Sequence, residues 1–396
     1  LRREGVAGLV VINEATGERR TQLTNAAGDF VFSAVLPGRY TVTVEAKGFK
    51  KVEKQNLNVT ASERLSAGQF ELEVGSVAEA ITVTAEATPV QVSSPERSAV
   101  LTSTQINALM ARGRDFFTLV KVLPGVVPPS EMESLGRTPM TQIQGMRMSY
   151  ATVAIDGVST NDLGSEQVMG APMNLDAVGE IKVLMTNYQA EYGRTAGALI
   201  QVVTKSGTRD YHGGAYYYKR HEMFNANNFF ANRNRQPRPR YRYNTWGYNL
   251  GGPIPAGKLK DKLFFFFSHE ELPTKTPQSI QNVTVPTETQ RRGDFSAQLP
   301  NTLIRDPQSR APFPGNIVPA NRIDPNGQKL LALFPLPNVD PAVSRGAYNY
   351  TFQEVIPADR TSLVYRVDYN VTDRVRMYTV SVRPTASLTN RRVRAE

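Results

Sequence analysis

The segment GPIPAGK at 252–258 has the glycine and lysine spacing of a phosphate-binding loop. Such a loop needs a serine or threonine directly after its lysine to bind magnesium, but Leu259 stands there. Its backbone must also donate N–H groups to the phosphates, and Pro253 and Pro255 have none to give. The segment is therefore predicted to be a turn between two strands and not a nucleotide site.

The chain has no cysteine, so its three histidines, His212, His221 and His269, are its best candidates for binding a transition metal. None lies in the H-x-x-E or H-E-x-x-H spacing of a zinc peptidase, and no G-x-S-x-G nucleophile motif occurs. Carboxylate and amide oxygens at 156–157 and 161–162 lack the spacing of a calcium loop and are typical of turns. The sequence thus predicts no catalytic residue, no metal and no cofactor.

A cationic stretch lies between 233 and 242, interleaved with tyrosine and proline. Its arginines are Arg233, Arg235, Arg238, Arg240 and Arg242. The net charge of +10 raises the question of nucleic-acid binding. Because the charge is concentrated in one short segment, a solvated loop between strands is favoured over a nucleic-acid arm. On an outer cell surface, this loop would also face anionic lipopolysaccharide.

The 396 residues, of which 40% are hydrophobic and 21% charged, suffice for two or three domains. No apolar run is longer than that at 263–267, which is far shorter than the roughly 18 residues of a membrane-spanning helix. Strands of a membrane β-barrel alternate and build no such run, so that class stays open. The first residue is Leu1 and no signal-peptide core follows it, so the chain is expected to begin inside a longer product.

Short alternating runs separated by turn residues fill the first region, up to residue 73. The expected strands are 9–12, 22–24, 30–32, 40–45, 52–59 and 70–74. Their spacing predicts a small antiparallel β-sandwich. Small and polar residues then dominate 75–95, where Ile81 and Val83 are among the few strongly apolar residues, and this stretch is predicted to be an extended linker.

The middle region, 96–205, mixes helix and strand signals. Hydroxyls at 102–104 can cap a helix that begins there, and a second helix is expected at 115–123 before a Pro-Gly stop. Strands are expected at 152–155 and 180–185. The pattern predicts an α+β domain.

The clearest strand of the third region is 361–371, whose residues alternate strictly between two faces. One face is apolar and carries Leu363, Tyr365, Val367 and Tyr369, while the other is mostly polar or charged. Further strands are expected at 211–220, 243–251, 262–271 and 374–382. This periodicity suits a transmembrane barrel and a soluble sandwich equally well. Long and short connections alternate between the strands, which favours the barrel.

The barrel interpretation assigns opposite surroundings to neighbouring residues of 361–371. Val367 is expected to face lipid, so an arginine there is predicted to cost about 2–4 kcal/mol. Asp368 is expected to face the lumen, where an arginine is predicted to be tolerated far better.

Short motifs follow one another along the chain in a recognisable order. The first region contains AGDFVF at 27–32, LPGRYTVTV at 36–44 and KGF at 47–49, and the linker contains ITVTA at 81–85. The middle region contains RGRDF at 112–116, LPGV at 123–126, IDGV at 155–158 and EYGR at 191–194. The third region contains VTKSGT at 203–208, FNANNFF at 224–230, LGGPI at 250–254, VPTE at 285–288, GDFS at 293–296, PGNIVP at 314–319 and FPLPN at 334–338. Together these motifs resemble TonB-dependent outer-membrane receptors of the Oar-like type, which carry an N-terminal carboxypeptidase-regulatory-like domain.

The resemblance implies a mainly β, multidomain fold: a small β-sandwich, then an α+β plug domain, then the first strands of a transmembrane antiparallel β-barrel. Its regions are a carboxypeptidase-regulatory-like domain at 1–73, a linker with a TonB box at 74–95, a plug at 96–205, and the start of the barrel with long extracellular loops at 206–396. The domain's opening strand is missing, and a full barrel of about 22 strands needs far more residues. The chain is therefore expected to be a fragment at both ends.

The resemblance also implies a function, namely energy-coupled uptake of an unidentified solute across the outer membrane of a Gram-negative bacterium, without enzymatic activity. The residues implied to bind a TonB-type energy-transducing protein are Ile81, Thr82, Val83, Thr84 and Ala85. Outer-membrane lipid and lipopolysaccharide are the other implied partners, and nucleic acid is not one. The alternative is a secreted or surface β-rich adhesion or carbohydrate-binding protein without transport activity, which would need neither the box nor the plug motifs.

Overall fold

A computed structural model describes most of the chain. The described residues are 7–61, 63–75, 80–84, 95–109, 114, 116–127, 142–146, 150–162, 173–193, 195–227, 229–233, 238–255, 257–259, 261–277, 280–373 and 375–388. The chain divides into two units. The first comprises 1–218, 245–272 and 360–386, and the second comprises 219–244, 273–359 and 387–396.

Five strands near the N-terminus form the first sheet of the first unit. They are β1 (Gly8–Asn13), β2 (Arg19–Leu23), β3 (Gly38–Glu45), β4 (Lys51–Val59) and β5 (Ala80–Thr84). The spatial order is β2-β1-β3-β4-β5. All neighbours are antiparallel except β4 and β5, which are parallel. The linker strand β5 therefore belongs to the sheet of the N-terminal domain.

The second layer of this sandwich is made of irregular segments and not of strands. Two of the predicted strands, 30–32 and 70–74, are therefore wrong. The rings of Phe30 and Phe70 meet edge to face with centroids 6.0 Å apart and pack against the sheet's apolar core. The alternating apolar side chains of these segments pack against the sheet, but their backbones do not form the hydrogen bonds of a strand. Val74 makes only an isolated bridge with Phe49.

The second sheet belongs to the middle region and contains five strands. They are β6 (Arg97–Thr102), β9 (Thr152–Ile155), β10 (Val158–Ser159), β11 (Val178–Thr186) and β12 (Leu199–Thr204), and the pair β7 (Val126–Val127) and β8 (Gln142–Ile143) lies outside this sheet. The order is β10-β9-β12-β11-β6, so β6 is an edge strand. β9 and β12 are parallel, and the other pairs are antiparallel. The predicted strands at 152–155 and 180–185 are confirmed, while β6 and β12 were not predicted.

Two short helices, α1 (Ser103–Ala108) and α2 (Phe116–Val120), accompany the second sheet. Thr102 and Gln105 form a reciprocal capping box that starts α1, as the hydroxyls at 102–104 predict. The core of this domain is apolar and lies on the sheet, with Ile181, Val183 and Ile200 fully buried. The α+β prediction for this region is confirmed.

Five long strands form the third sheet, in chain order. They are β13 (His212–Arg220), β14 (Arg242–Pro253), β15 (Leu263–Pro277), β18 (Val355–Asn370) and β19 (Arg376–Leu388). All five predicted strands are confirmed, although β15, β18 and β19 extend about six residues beyond the predicted ends. The turn between β18 and β19 is tight, with the Val375 N–H donating to the Thr372 carbonyl at 3.2 Å.

The second unit contains short elements joined by loops. Its small sheet pairs β16 (Gln281–Val283) with β17 (Tyr350–Phe352), and its helices are α3 (Phe229–Arg233), α4 (Glu288–Arg291), α5 (Pro325–Leu331) and α6 (Pro341–Ser344). Single 3₁₀ turns occur at Leu175–Ala177 and Gly257–Leu259 in the first unit, and at Glu222–Phe224, Ser296–Gln298, Pro314–Asn316 and Ala320–Arg322 in the second. Buried Asn316 organises the long loop, because its side chain accepts from the Ile304 N–H and donates to two carbonyls, those of Phe295 and Thr302.

Candidate functional site

The segment predicted to bind a TonB-type protein lies on the edge of the first sheet. Register pairs run from Lys51 with Ala80 to Gln55 with Thr84. Ile81 is half-buried against the sheet and Thr82 is exposed. Val83 and Thr84 belong to β5, and Ala85 lies outside the described residues.

β18 has a mostly polar buried face and a more exposed apolar face, whereas the buried face of β15 also carries Phe264 and Phe266. On β18, Ser362, Arg366 and Asp368 are all at most 3% exposed, whereas Tyr365 is 41% exposed. This pattern is inverted relative to a soluble protein and confirms the faces predicted for 361–371. The inner face points toward the second sheet, so the polar residues meet another part of the protein and not bulk solvent.

Aromatic side chains cover the outer face of the same sheet. Trp246 and Tyr248 on β14 both stack on His269 of β15, with centroids 5.4 Å apart. Phe267 packs against Tyr248 and against Tyr365, which continues the aromatic ladder across three strands. An exposed aromatic band on a strand surface is typical of a membrane-barrel exterior.

One partly buried polar cluster joins the second sheet's domain to β15 through Arg114. The Nε atom of Arg114 donates to Glu270 Oε2 at 2.8 Å, and its Nη2 pairs with Asp176. The guanidinium also lies 4.2 Å from the ring centroid of Tyr216, whose hydroxyl donates to Glu270 Oε2 at 2.9 Å. Burial lowers the pKa of Arg114, but the carboxylates of Asp176 and Glu270 outweigh it and hold that pKa well above its usual value. The Arg114 charge is therefore permanent and fully paired.

A second buried cluster centres on Arg366 of β18. Asp368 binds the guanidinium with both oxygens, at 2.8 and 3.0 Å. Nη1 of Arg366 lies 3.3 Å from Asp156 Oδ1 and donates to Thr204 Oγ1 at 2.9 Å. The turn predicted at 156–157 is confirmed, and its carboxylate accepts from the Thr204 N–H and hydroxyl. Asp156 thus serves as an anchor between domain and strand, with its oxygens occupied by protein donors.

Asn174 and Arg376 make further polar contacts between the third sheet and the other two domains. Asn174, which caps the 3₁₀ turn before β11, accepts from the Ser268 hydroxyl at 3.0 Å, and its N–H donates to Ser362 at 3.2 Å. Arg376 on β19 bridges Asp368 at 3.2 Å and Glu18 of the first domain at 3.3 Å. These hydrogen bonds and ion pairs lie beside an apolar contact, because Phe266 and Val364 belong to the buried core of the second sheet's domain.

The first domain also contacts the second sheet directly. Glu180 on β11 accepts from the Ala61 N–H at 2.7 Å, and Arg64 donates to Gln189 at 2.8 Å. Burial raises the pKa of the Glu180 carboxyl, while the Ala61 hydrogen bond and the Lys182 charge oppose the rise.

A fully buried ion pair marks the start of the middle domain. Lys182 Nζ lies 2.9 Å from Glu96 Oε1, and both side chains are at most 2% exposed. Glu96 immediately precedes the edge strand β6 and follows the linker. The pair therefore fixes the point at which the linker enters the domain.

The cationic stretch forms an internally bonded loop. Arg242 binds Glu222 through two nitrogens, and this hydrogen bonding lowers the pKa of Glu222 to about 2. Arg238 donates to the carbonyls of Met223 and Asn225, both at 3.1 Å. These contacts agree with the predicted loop and leave fewer cationic groups for a polyanion. Arg235 lies outside the described residues.

The remaining chemical candidates have structural roles. The 252–258 segment ends β14 and leads into β15, which agrees with the predicted turn between strands. His212 contacts the Thr208 hydroxyl, and His221 accepts from the Met223 N–H. Among the described residues, no three histidine, aspartate or glutamate side chains are grouped as a metal site would require. No helix within these same ranges is long and apolar enough to cross a membrane.

Sequence reasoning missed the partners of the buried charges. The sequence does show that Glu270, Arg366 and Asp368 are charged residues within strands, on the face that alternation assigns to the inside. Such residues are expensive to bury alone and so indicate a partner, but the partner itself comes from a distant part of the chain.

Three family models match the chain in the order of its three sheets. They describe a carboxypeptidase regulatory-like domain at 3–73, a TonB-dependent receptor plug domain at 90–199 and an outer membrane β-barrel domain at 203–392. The TonB-dependent transporter Oar of Myxococcus xanthus is 24% identical over 263 residues, which is 62% of this chain and 23% of that protein. The chain therefore belongs to the TonB-dependent receptors of the Gram-negative outer membrane, as its motifs predict. This is a family of receptors and transporters and not of enzymes.

Two solved structures have partial similarity to this chain. The siderophore receptor PirA from Acinetobacter baumannii is 14% identical, with a TM-score of 0.43 over 74% of this chain and 32% of that chain. The outer membrane transporter YddB from Escherichia coli is 11% identical, with a TM-score of 0.45 over 74% of this chain and 33% of that chain. The chain thus spans about a quarter of its curated relative and a third of these structures.

Proposed function

We propose that the protein takes part in energy-coupled uptake of a solute through a plugged barrel. The observation that carries this proposal is the polar attachment of the plug to the barrel wall through Arg114, Arg366 and Asn174. Hydrogen bonds and ion pairs exchange for contacts with water when a domain moves, whereas a continuous apolar interface would have to expose its core. Polar attachment therefore suits a plug that closes the lumen at rest and is displaced during transport.

The proposal divides the chain at the predicted boundaries: regulatory-like domain 1–73, coupling linker 74–95, plug 96–205 and barrel start 206–396. The residues proposed to bind a TonB-type protein by strand addition are Ile81, Thr82, Val83, Thr84 and Ala85. Their place in the chain supports the role, because a pull on them reaches Glu96 and then β6. Among the described strands, β6 lies at the edge of the plug sheet and pairs with β11 alone, so it can detach from β11 without breaking another of these pairings.

The same proposal covers the other partners. The aromatic outer face of β14, β15 and β18 is assigned to membrane lipid, and the loop at 221–242 to anionic lipopolysaccharide. The solute is unidentified, no catalytic step is assigned, and nucleic acid is not a partner. An adhesion protein without transport is less well supported, because it would not need a plug fastened inside the strands.

The test measures the affinity of a peptide that contains residues 81–85 for the C-terminal domain of the TonB-type protein from the same organism. A peptide of residues 76–90 should bind, and the Val83→Pro peptide should not, because proline removes one N–H donor from the ladder. The Val83→Thr peptide is the matched control, since threonine keeps the donor and the β-branched shape. Equal binding of the native and proline peptides would refute the assignment.

A further inference from the structure

The coupling segment, residues 80–84, already forms strand β5 without a partner protein. β5 pairs with β4 over five successive register positions. The chain just before it is also fastened to the same domain, because the Lys50 N–H donates to the Glu73 carbonyl at 2.8 Å and the Gly75 N–H to the Gly48 carbonyl at 3.1 Å. Only residues 76–79 separate this anchor from β5. So short a tether keeps the segment close to β4 at high effective concentration.

Pairing with β4 uses only one side of the β5 backbone. The N–H and C=O groups of a strand point alternately to its two sides in the plane of the sheet, so half of those in β5 face away from β4. β5 is the terminal strand of its sheet in the described part of the chain. An open strand edge is a template for another extended chain.

We propose that the regulatory-like domain presents residues 80–84 as a preformed strand, and that the open edge of β5 is where a strand of the TonB-type protein docks. This inference rests on the proposed function and adds the role of the first domain. The occupant it requires is an extended strand with unpaired backbone N–H and C=O groups. Because the backbone of β5 is already ordered, docking avoids much of the entropy loss that a free linker would suffer.

A disulfide across the β4–β5 pair tests this arrangement. Glu53 and Thr82 are register partners with side chains on the same face, and Thr82 is exposed. Neighbouring strands lie about 4.8 Å apart, within the roughly 4.4–6.8 Å between Cα atoms that a disulfide spans. The chain contains no native cysteine, so Glu53→Cys with Thr82→Cys introduces one defined crosslink. Oxidation of the receptor carrying both substitutions should join positions 53 and 82 by a disulfide within one chain.

The decisive measurement is the affinity of the oxidised and reduced receptor for the TonB C-terminal domain. We expect the oxidised form to bind as tightly as the reduced form or more tightly, because the crosslink leaves the outer edge of β5 open. A loss of threefold or more that reducing agent reverses would overturn the proposal, since it would mean that the partner replaces β4. Failure of the disulfide to form would also overturn it.

Two control variants identify the cause of any change in affinity. Val10→Cys with Thr21→Cys joins register partners of β1 and β2, so it places a disulfide in the same domain without touching β5. The single Thr82→Cys variant reports self-association, and an intermolecular disulfide between two copies would assign the open edge to a second chain and contradict the proposal. If the reduced receptor and the 76–90 peptide both fail to bind, the proposed function is wrong, whereas the crosslink yield still reports the β4–β5 pairing.

Discussion

Arg366 of the barrel sheet and Asp156 of the plug form a buried ion pair, with Nη1 and Oδ1 3.3 Å apart. Asp368 holds the same guanidinium on its other side, and none of the three side chains is more than 8% exposed. An inward-pointing strand residue thus binds the turn that ends a plug strand. Because these charges have little access to water, they depend on each other for solvation, and the pair fixes the plug against the wall.

Removal of Arg366 is expected to destabilise the receptor strongly. Arg366→Ala would leave Asp156 and Asp368 with fewer partners in a buried site, at a cost of about 3–5 kcal/mol. The measurement is the free energy of unfolding from urea titration of the full-length receptor in detergent. Arg383→Ala is the matched control, because Arg383 lies exposed on the neighbouring β19. Equal stability of the two variants would show that the Arg366 cluster does not hold the plug.

The contact between Arg114 and Glu270 should appear as an energetic coupling. A double-mutant cycle with Arg114→Ala and Glu270→Gln is expected to give an interaction energy of about 0.5–3 kcal/mol, because the two side chains share a partly buried hydrogen bond. The control cycle replaces Glu270 by its neighbour Glu271, which points to the other face and binds Thr361. That cycle should give almost no coupling, and equal values in both cycles would contradict the assigned contact.

Alternation alone predicted the strands and the faces of the third sheet. Leu363, Tyr365 and Val367 are less buried than Ser362 and Arg366, as their positions in the pattern require. Period two fixes which side chains share a face, so the inner polar surface could be read without a structure. It carries no information on partners, and Asp156 lies 210 residues from Arg366.

Asp368 shows that alternation identifies the face of a residue but not its partners. The alternation predicts that Asp368→Arg is tolerated because the residue faces the lumen. In the structure, Asp368 is buried and binds both Arg366 and Arg376, so a third arginine would meet two like charges. We therefore expect Asp368→Arg to be strongly destabilising, in contrast to the expectation from sequence.

Alternation also predicted strands wrongly where a segment packs on a sheet through its side chains without backbone pairing. Phe30 and Phe70 alternate with polar neighbours as strand residues do, yet they cover a sheet without joining one. Conversely, Ile81 and Val83 stood in a small-residue linker that gave no sign of a partner strand. The β4 edge that pairs with them is a property of the folded domain.

The Glu180 carboxyl should make the stability of the receptor depend on pH. Burial raises its pKa above the ordinary 4.5, so the folded state holds this proton more tightly than the unfolded state. Its contribution to the free energy of unfolding therefore falls as pH rises from about 4.5 through the folded pKa. Glu180→Gln keeps an oxygen for the Ala61 N–H and should remove this dependence. Glu191→Gln, at an exposed plug position, should leave the pH profile unchanged.

The outer face of β18 is expected to contact lipid in the full-length receptor. Val367 lies on this face, so an arginine there should cost about 2–4 kcal/mol if the position is near the middle of the bilayer. Stability alone does not identify the environment, because burial of a charge in a protein core is also unfavourable. A fluorophore at Val367→Cys should be quenched by lipids that carry a quencher in their acyl chains, whereas one at Asp373→Cys, in the exposed turn after β18, should be quenched by a water-soluble agent. The same response at both positions would rule out the membrane-facing assignment of this strand.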